Sequence, residues 1–312
     1  MKPPSTHSAP GLAVLLKISS VALFTSLSAL VKATSDVVPA GEAVFFRSFF
    51  ALPVILVWIW QKGELREALI AKNTLGHVWR GLFGTAAMAC NFAALGLLPL
   101  PEVTAIGYAA PIFTVIFAAL LLGEKIRLIR ISAVTLGLVG VLIVAWPRLS
   151  LPASEFTAGA QLGAMLVLAS CVLRALVQIH IRTLVKTEHT AAIVFYFSLT
   201  ATCLGLMTLP FGWVLPDPTT AALLVLTGLI GGVAQILVTS SYRFGAASML
   251  APFDYASLIF AIIIGYIFFA ELPTLVMLIG AALVIAGNVL VLWRERQLGL
   301  INQKARAQRQ RD

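Results

Sequence analysis

The stretch LAPFDYASLIFAIIIGYIFFAE, residues 250 to 271, decides the fold of this chain. Its apolar run is long enough to cross a bilayer, since a transmembrane helix needs about 20 mostly apolar residues. One carboxylate, Asp254, lies inside that run. A charged residue near the centre of a membrane helix costs roughly 2.5 to 3.5 kcal/mol on insertion scales. Asp254 therefore predicts a functional group within the membrane.

The same stretch has a counterpart earlier in the chain, which indicates two homologous halves. Residues 103 to 146 align without a gap with residues 250 to 293, and eleven of the 44 pairs are identical. Several identical pairs are not explained by apolar composition: Tyr108/Tyr255, Glu124/Glu271, Gly140/Gly287 and Trp146/Trp293. Asp254 is aligned with Gly107. The first half thus has no carboxylate at this position, and this difference between the halves favours a functional role for Asp254.

The composition predicts an all-α integral membrane protein. Apolar residues make up 60% of the chain and charged residues 11%, whereas soluble domains carry roughly 45 to 50% and 25%. Short loops leave little sequence for a soluble domain, so we expect the function to lie within the membrane. The cysteines lie in apolar segments and form no CxxC pair. We predict no metal and no cofactor.

Ten spans are predicted, as two halves of five. Five is an odd number, so the second half enters the membrane in the opposite sense and the repeat is inverted, as in many secondary transporters. We predict a first repeat at 11–146, a linker at 147–158, a second repeat at 159–293 and a basic tail at 294–312. The predicted spans are 11–31, 41–60, 77–97, 102–122, 128–146, 160–184, 191–212, 219–241, 247–270 and 273–293.

The basic residues predict the orientation in the membrane. With the amino terminus in the cytoplasm, 18 of the 22 Lys and Arg residues lie on the cytoplasmic side, which is where loops are enriched in them. Ten spans with both termini cytoplasmic fit this distribution. The net charge of +9 is therefore attributed to topology, and we predict no nucleic-acid partner.

Three segments resemble the EamA-type branch of the drug/metabolite transporter superfamily: FFRSFFALP (45–53), APIFTVIFAALLLGEK (110–125) and LAPFDYASLIFAIIIGYIFFAELP (250–273). The resemblance covers nearly the whole chain. It implies a ten-helix carrier in the bacterial inner membrane for amino acids, nucleoside-like metabolites, vitamins such as riboflavin, or toxic cations. The family's proline ahead of the Glu is present as Pro111 before Glu124. The second half departs from this pattern, with Leu258 at that place and Pro252 six residues earlier.

The sixth span carries a polar face. Its polar residues recur every four positions, which places them on one side of a helix: Ser170, Arg174, Gln178 and Arg182. Arg174 and Asp254 are opposite charges at similar predicted depth, and such charges pair or face one cavity. We expect Arg174 to hold an anionic or carbonyl group of a substrate, and Asp254 to bind a cationic group or cycle a proton. The alternative is a permanent ion pair between them that fixes helix packing.

Further candidates for substrate binding or coupling are Tyr255, Tyr108, Arg47, Asn91 and Gln235. For the aromatic and amide residues, ordinary helix packing is the commoner role; for Arg47 the resemblance implies a functional or gating role beside the packing alternative. A gating or structural role is predicted for Glu124, Glu271, Pro111 and Pro252.

The sequence thus predicts a secondary transporter of a small polar organic metabolite that works by alternating access. It is driven by a gradient, with proton coupling as one option, or it works as a facilitator. The preferred substrate is riboflavin or a similar aromatic metabolite, taken up by the cell. The alternatives are an exporter of amino acids or drugs, and an S-adenosylmethionine carrier. An intramembrane enzyme is disfavoured, because there is no HExxH motif and no pair of intramembrane aspartates.

Overall fold

A computed structural model describes residues 10–63, 65–66, 70–122, 128–149, 155–184, 187–244, 250–287 and 289–290. The tail at 294–312, residues 150–154 of the predicted linker and Glu124 lie outside the described residues. No strand occurs in the described ranges.

The described chain is a succession of apolar helices joined by short connections. Each of the ten predicted spans coincides with one helix, so the predicted fold class is confirmed. The helices are α1 (Pro10–Thr34), α2 (Ala40–Gln61), α3 (Thr74–Leu95), α4 (Leu100–Gly107 and Ala109–Leu122), α5 (Leu128–Leu149), α6 (Glu155–Leu184), α7 (Thr190–Leu206), α8 (Pro218–Phe244), α9 (a 3-10 turn Ala251–Tyr255 and Ala256–Phe269) and α10 (Leu275–Gly287).

Five of these helices, α1, α2, α4, α6 and α8, are long and apolar enough to cross a membrane unaided. Large apolar side chains stay exposed on the outside of the bundle, among them Trp60, Leu121 and Phe268. An exposed apolar surface on this scale is typical of a protein surrounded by lipid.

The contacts between helices repeat in pairs that differ by five in helix number. Helix α1 packs against α8 as α3 packs against α6, and α1 packs against α9 as α6 packs against α4. Helices α2 and α7 contact each other, as do α4 and α9. This is the contact pattern expected of two related five-helix halves, and it brings the beginnings of α4 and α9 together in the interior.

Helices α4 and α9 are both irregular near their beginnings. In α4 the regular helix is interrupted at Tyr108, three residues before Pro111. Proline has no N–H group, so it cannot bond to the carbonyl four residues earlier, which is that of Gly107. In α9 the residues up to Tyr255 form a 3-10 turn, with Pro252 in its first turn. Interrupted helices of this kind line binding sites in many transporters.

Candidate functional site

Tyr108 and Tyr255, the aligned tyrosines of the two halves, pack against each other where α4 meets α9. Their rings form an edge-to-face pair with centroids 5.2 Å apart. Ser257 donates its hydroxyl hydrogen to the Asp254 carbonyl at 2.7 Å. The Tyr108 hydroxyl therefore acts as the donor to Ser257 at 2.8 Å, and it lies 3.2 Å from the Tyr255 carbonyl oxygen. Contact between repeat-equivalent residues places this pair at the pseudo-two-fold centre of the bundle.

Asp254 lies next to this tyrosine pair and forms an ion pair with Lys17 of α1. The Lys17 Nζ to Asp254 Oδ1 distance is 2.7 Å. The Lys17 side chain is 4% exposed, whereas that of Asp254 is 50% exposed. Asp254 thus contacts a buried cation while half of its own side chain stays exposed.

The Lys17 contact corrects one sequence-based alternative, the permanent ion pair between Arg174 and Asp254. Among the described residues no carboxylate lies within ion-pair distance of Arg174. The alternative was wrong because α1 lies closer to the beginning of α9 than α6 does. Lys17 is one of the 18 basic residues that the sequence places on the cytoplasmic side, and its position there predicts no contact with Asp254.

Arg174 instead lies on the other side of the tyrosine pair, at the interruption of α4. Its Nη2 donates to the Gly107 carbonyl at 3.4 Å and to Cys171 Sγ at 3.3 Å. This carbonyl is available because Pro111 has no N–H to offer it. A Cβ at position 107 would lie 3.3 Å from Arg174 Nη2, so glycine also allows the close approach.

The two cations are arranged alike in the two halves. Lys17 on α1 contacts Asp254 on α9, and Arg174 on α6 contacts Gly107 on α4, where Gly107 is the aligned counterpart of Asp254. The cation therefore contacts the side chain of Asp254 at α9 and a backbone carbonyl at the equivalent position of α4. Chemically, the irregular beginnings of α4 and α9 offer a carboxylate and two aromatic rings. Each of these two segments contacts one cation, Arg174 at α4 and Lys17 at α9.

A second ion pair joins α1 and α9 at their carboxyl-terminal ends. Lys32 Nζ lies 3.0 Å from Glu271 Oε1 and donates to the carbonyls of Leu95 at 3.1 Å and Leu98 at 2.8 Å. Glu271 Oε2 accepts from the Leu100 N–H at 2.8 Å. This cluster lies at the face where α1 ends, and the gating or structural role of Glu271 stays a prediction.

Arg47 lies apart from the tyrosine pair, between α2, α7 and α8. It is 7% exposed, and its Cζ lies 5.8 Å from the ring centroid of Phe197. Arg80 of α3 contacts the same ring at 3.9 Å. The structure thus groups Arg47 with a second arginine that the sequence interpretation had assigned to topology.

The side chains of the predicted amide residues form no hydrogen bond within the described part of the chain. Gln178 is exposed, and Asn91 and Gln235 are partly buried. None of these three side chains forms a hydrogen bond to another described residue; only the backbone carbonyl of Gln235 does, accepting from Thr239. Their predicted roles in substrate binding stay predictions, and so does the role of Glu124.

Sequence reasoning missed Lys17, Lys32 and Arg80 as members of these clusters. Their positions gave no clear signal, because Lys17 and Arg80 lie only six and three residues inside the predicted spans 11–31 and 77–97. Basic residues near span ends usually orient the protein in the membrane. In the described ranges no group of three or more His, Cys, Asp or Glu side chains is placed to hold a metal ion.

Comparisons with known proteins agree with this architecture. The model of the EamA-like transporter family matches residues 11–146 and again 161–293. A pseudopaline exporter, CntI, of Pseudomonas aeruginosa is 30% identical over 282 residues, covering 89% of this chain and 92% of the relative. An S-adenosylmethionine uptake transporter of Rickettsia prowazekii is 24% identical, covering 82% and 84%.

Two further similarities extend these findings. A riboflavin transporter of Rhizobium johnstonii is 25% identical over 82% of both chains. A solved crystal structure superposes with a TM-score of 0.65 at 20% identity, covering 92% of this chain and 97% of the other, and so supports the fold. The relatives are transporters and not enzymes. This multi-pass membrane chain belongs to the EamA-like transporter family.

Proposed function

We propose that the protein is a secondary transporter that binds a small polar organic metabolite beside Tyr108 and Tyr255 and moves it across the bacterial inner membrane by alternating access. One observation carries the proposal: a half-exposed carboxylate and a cation flank a pair of aromatic rings at the centre of a two-fold repeat. Charges inside a membrane bundle usually mark a substrate or ion pathway. Both termini are proposed to lie in the cytoplasm.

The arrangement favours a polar substrate. Its aromatic or flat part would lie beside the two tyrosine rings, an anionic or carbonyl group would suit Arg174, and a cationic group would suit Asp254. Arg174 is proposed to exchange its Gly107 carbonyl for an anionic or carbonyl group of the substrate. Asp254 is proposed to bind a cationic group or a proton, and either would compete with Lys17. Riboflavin, S-adenosylmethionine and amino acids all fall within this description. Uptake of riboflavin, preferred from the sequence, remains one candidate within this class.

Export is a second candidate direction, because the relative with 30% identity is named as an exporter and the two named for uptake or for riboflavin are 24 and 25% identical. Inverted and right-side-out membrane vesicles separate the two directions. Accumulation of substrate in inverted vesicles alone would support export.

The test of the function is transport by the purified protein in liposomes, with radiolabelled riboflavin, S-adenosylmethionine and amino acids. We expect transport of one compound by the wild type, and its loss in Arg174→Ala and Asp254→Asn. Arg66→Ala and Asp36→Asn are matched controls, since both residues are exposed. Unchanged transport by both site variants would remove the proposed site. Unchanged pH dependence in Asp254→Asn would remove its proton role alone.

A further inference from the structure

Arg47 and Arg80 form a pair of buried cations that lies outside the proposed site. Arg47 is 7% exposed, and the Nε and Nη1 atoms of Arg80 are buried without a hydrogen-bond acceptor. Both guanidinium groups lie against the ring of Phe197. Two like charges are thus held beside one ring within the membrane bundle.

Neither arginine has a counter-charge in the described part of the chain. The ion pairs found there involve Lys17, Lys32 and His77. Contact with an aromatic face offsets only part of the cost of removing a guanidinium group from water. Buried polar groups in proteins are almost always hydrogen-bonded. The N–H groups of Arg80 therefore call for an acceptor that the described chain does not supply.

The neighbouring backbone is shaped to admit these side chains. A Cβ at Gly84 would overlap Arg80 Nη1 and lie 2.8 Å from Phe197 Cε2. A Cβ at Gly231 of α8 would lie 3.3 Å from Arg47 Nε. Small residues thus hold space for both guanidinium groups in the interior. Two buried hydroxyls on the same two helices, Ser48 Oγ and Thr85 Oγ1, also lack a hydrogen-bond partner among the described residues.

We propose that Arg47 and Arg80 form a binding site for a small oxyanion, a carboxylate or a phosphate. A guanidinium group presents N–H donors in a planar fork that matches both groups, and such charge-assisted bonds are short and strong. An oxyanion would supply the missing acceptor and reduce the repulsion between the two cations. The site does not rest on the proposed transport function.

Phe197 gives this site a cover. In the present arrangement its ring lies over both guanidinium groups, so the oxyanion enters when α7 moves relative to α2 and α3, or when the ring changes rotamer. Bound anion would then favour the arrangement in which Phe197 is displaced. The source of the oxyanion is a soluble anion, an acidic group of the transported metabolite, or the phosphate of a lipid head group.

The first experiment measures thermal stability of the purified full-length chain in detergent. Sodium phosphate and sodium succinate are compared with sodium chloride at equal ionic strength, because a ligand of the folded state raises its apparent stability. We expect both oxyanions to raise Tm in the wild type, and the rise to disappear in Arg47→Gln and Arg80→Gln. Arg66→Gln, which changes an exposed arginine, is expected to keep it.

The second experiment assigns the source of the oxyanion. Phosphatidylglycerol is added to the delipidated wild type. If phosphate and succinate then no longer raise Tm, the site is assigned to a lipid head group. For a transported compound, its carboxylate and its amide are compared. Affinity about 10- to 100-fold weaker for the amide, the range typical of a charged hydrogen bond, would assign the site to the substrate if Arg80→Gln removes this difference.

The proposal is overturned if neither phosphate, succinate nor phosphatidylglycerol stabilises the wild type more than chloride does. It is also overturned if three variants all retain the full oxyanion effect: Arg47→Gln, Arg80→Gln and the double variant Arg47→Lys/Arg80→Lys, which keeps both charges. Failure of all transport assays would leave these stability results unaffected.

Discussion

Tyr108 and Tyr255 are equivalent residues of the two halves, and they contact each other across the pseudo-two-fold centre with a centroid distance of 5.2 Å. Their hydroxyl groups are not equivalent. Tyr108 bonds to Ser257 and the Tyr255 carbonyl, whereas the Tyr255 hydroxyl has no hydrogen bond to a described residue. The halves therefore share a fold and differ in chemistry at the place where the proposed substrate would meet both.

This difference makes the two tyrosines a matched pair for mutation. Tyr108→Phe is expected to lower the free energy of unfolding by about 1 kcal/mol, the usual net value of one hydrogen bond. Tyr255→Phe is expected to change it by less, because its hydroxyl contributes no such bond. Chemical or thermal unfolding of both variants tests this. Equal effects would show that the Tyr108 hydroxyl bonds are not formed in solution.

The ion pair between Lys17 and Asp254 is expected to respond unequally to loss of either partner. Asp254→Asn removes the carboxylate that lies 2.7 Å from the buried Lys17 ammonium and is expected to destabilise the protein by about 2 kcal/mol. Lys17→Met leaves a half-exposed carboxylate that solvent can reach, so about 1 kcal/mol is expected. Unfolding of the two single variants and the double variant is the measurement.

The double variant is the control for this interpretation. If the pair exists, Lys17→Met combined with Asp254→Asn is less destabilising than the sum of the single variants, since the double variant carries neither of the two charges. Additive effects would mean that the two side chains do not interact.

The second ion pair, between Lys32 and Glu271, predicts a partial rescue. Lys32→Glu and Glu271→Lys are each expected to lower Tm by several degrees. Combining them restores the attraction but not the backbone bonds. A lysine at position 271 cannot accept from the Leu100 N–H, and a glutamate at position 32 cannot donate to the Leu95 and Leu98 carbonyls. The double variant should therefore recover part of the lost Tm, measured by thermal unfolding in detergent. Recovery of nothing would assign the whole effect to these backbone bonds.

The sequence predicted the spans because apolar length alone identifies a membrane helix. It also identified Asp254, Arg174 and Arg47 as charges inside those spans. Their partners were beyond reach, since the contact of Lys17 with Asp254 depends on how α1 packs against α9, and that packing has no signal in one sequence. The pairing of Arg174 with Gly107 depends equally on the interruption of α4.

Lys17 and Arg80 were missed for a different physical reason. Basic residues near span ends usually orient the protein in the membrane, and both residues satisfy that rule by position. The same residues are buried in the bundle, so one side chain serves topology and internal packing together. Sequence position does not separate these two uses.

The connection between α6 and α7 predicts a dependence of stability on pH. Burial raises the pKa of the Glu188 carboxyl, but hydrogen bonds from the Lys72 and Asn73 N–H groups and from His77 outweigh burial and hold the pKa below its ordinary value of 4.5. A carboxyl with a lowered pKa in the folded state stabilises the protein above the unfolded-state pKa. This stabilisation is lost as the pH falls through the folded-state pKa.

We therefore expect Tm to fall as the pH is lowered below about 4.5, the ordinary pKa, and Glu188→Gln to reduce this fall. The comparison is thermal unfolding of wild type and variant between pH 7 and about pH 3. Asp217→Asn is the control. Asp217 also has a lowered pKa, caused mainly by hydrogen bonds from Thr220. Because this residue is exposed, its substitution is expected to change the fall in Tm less than Glu188→Gln does. An unchanged pH profile in Glu188→Gln would contradict the prediction.

The crossing of α5 and α10 depends on two glycines in backbone contact. A Cβ at Gly140 would lie 2.6 Å from the Gly280 carbonyl oxygen, and one at Gly280 would lie 2.7 Å from that of Gly140. Because the obstacle is backbone, the helices must move apart to accept a methyl group. Gly140→Ala is expected to destabilise the protein by about 2 kcal/mol.

Gly11→Ala makes the same chemical change where no atom lies within 4 Å of the added Cβ. Alanine favours a helix over glycine by nearly 1 kcal/mol, so this control is expected to be neutral or slightly stabilising. Unfolding of the two variants side by side separates helix propensity from packing. If Gly140→Ala were as stable as Gly11→Ala, α5 and α10 would not cross at these glycines, and the contact joining the last helices of the two halves would have to lie elsewhere.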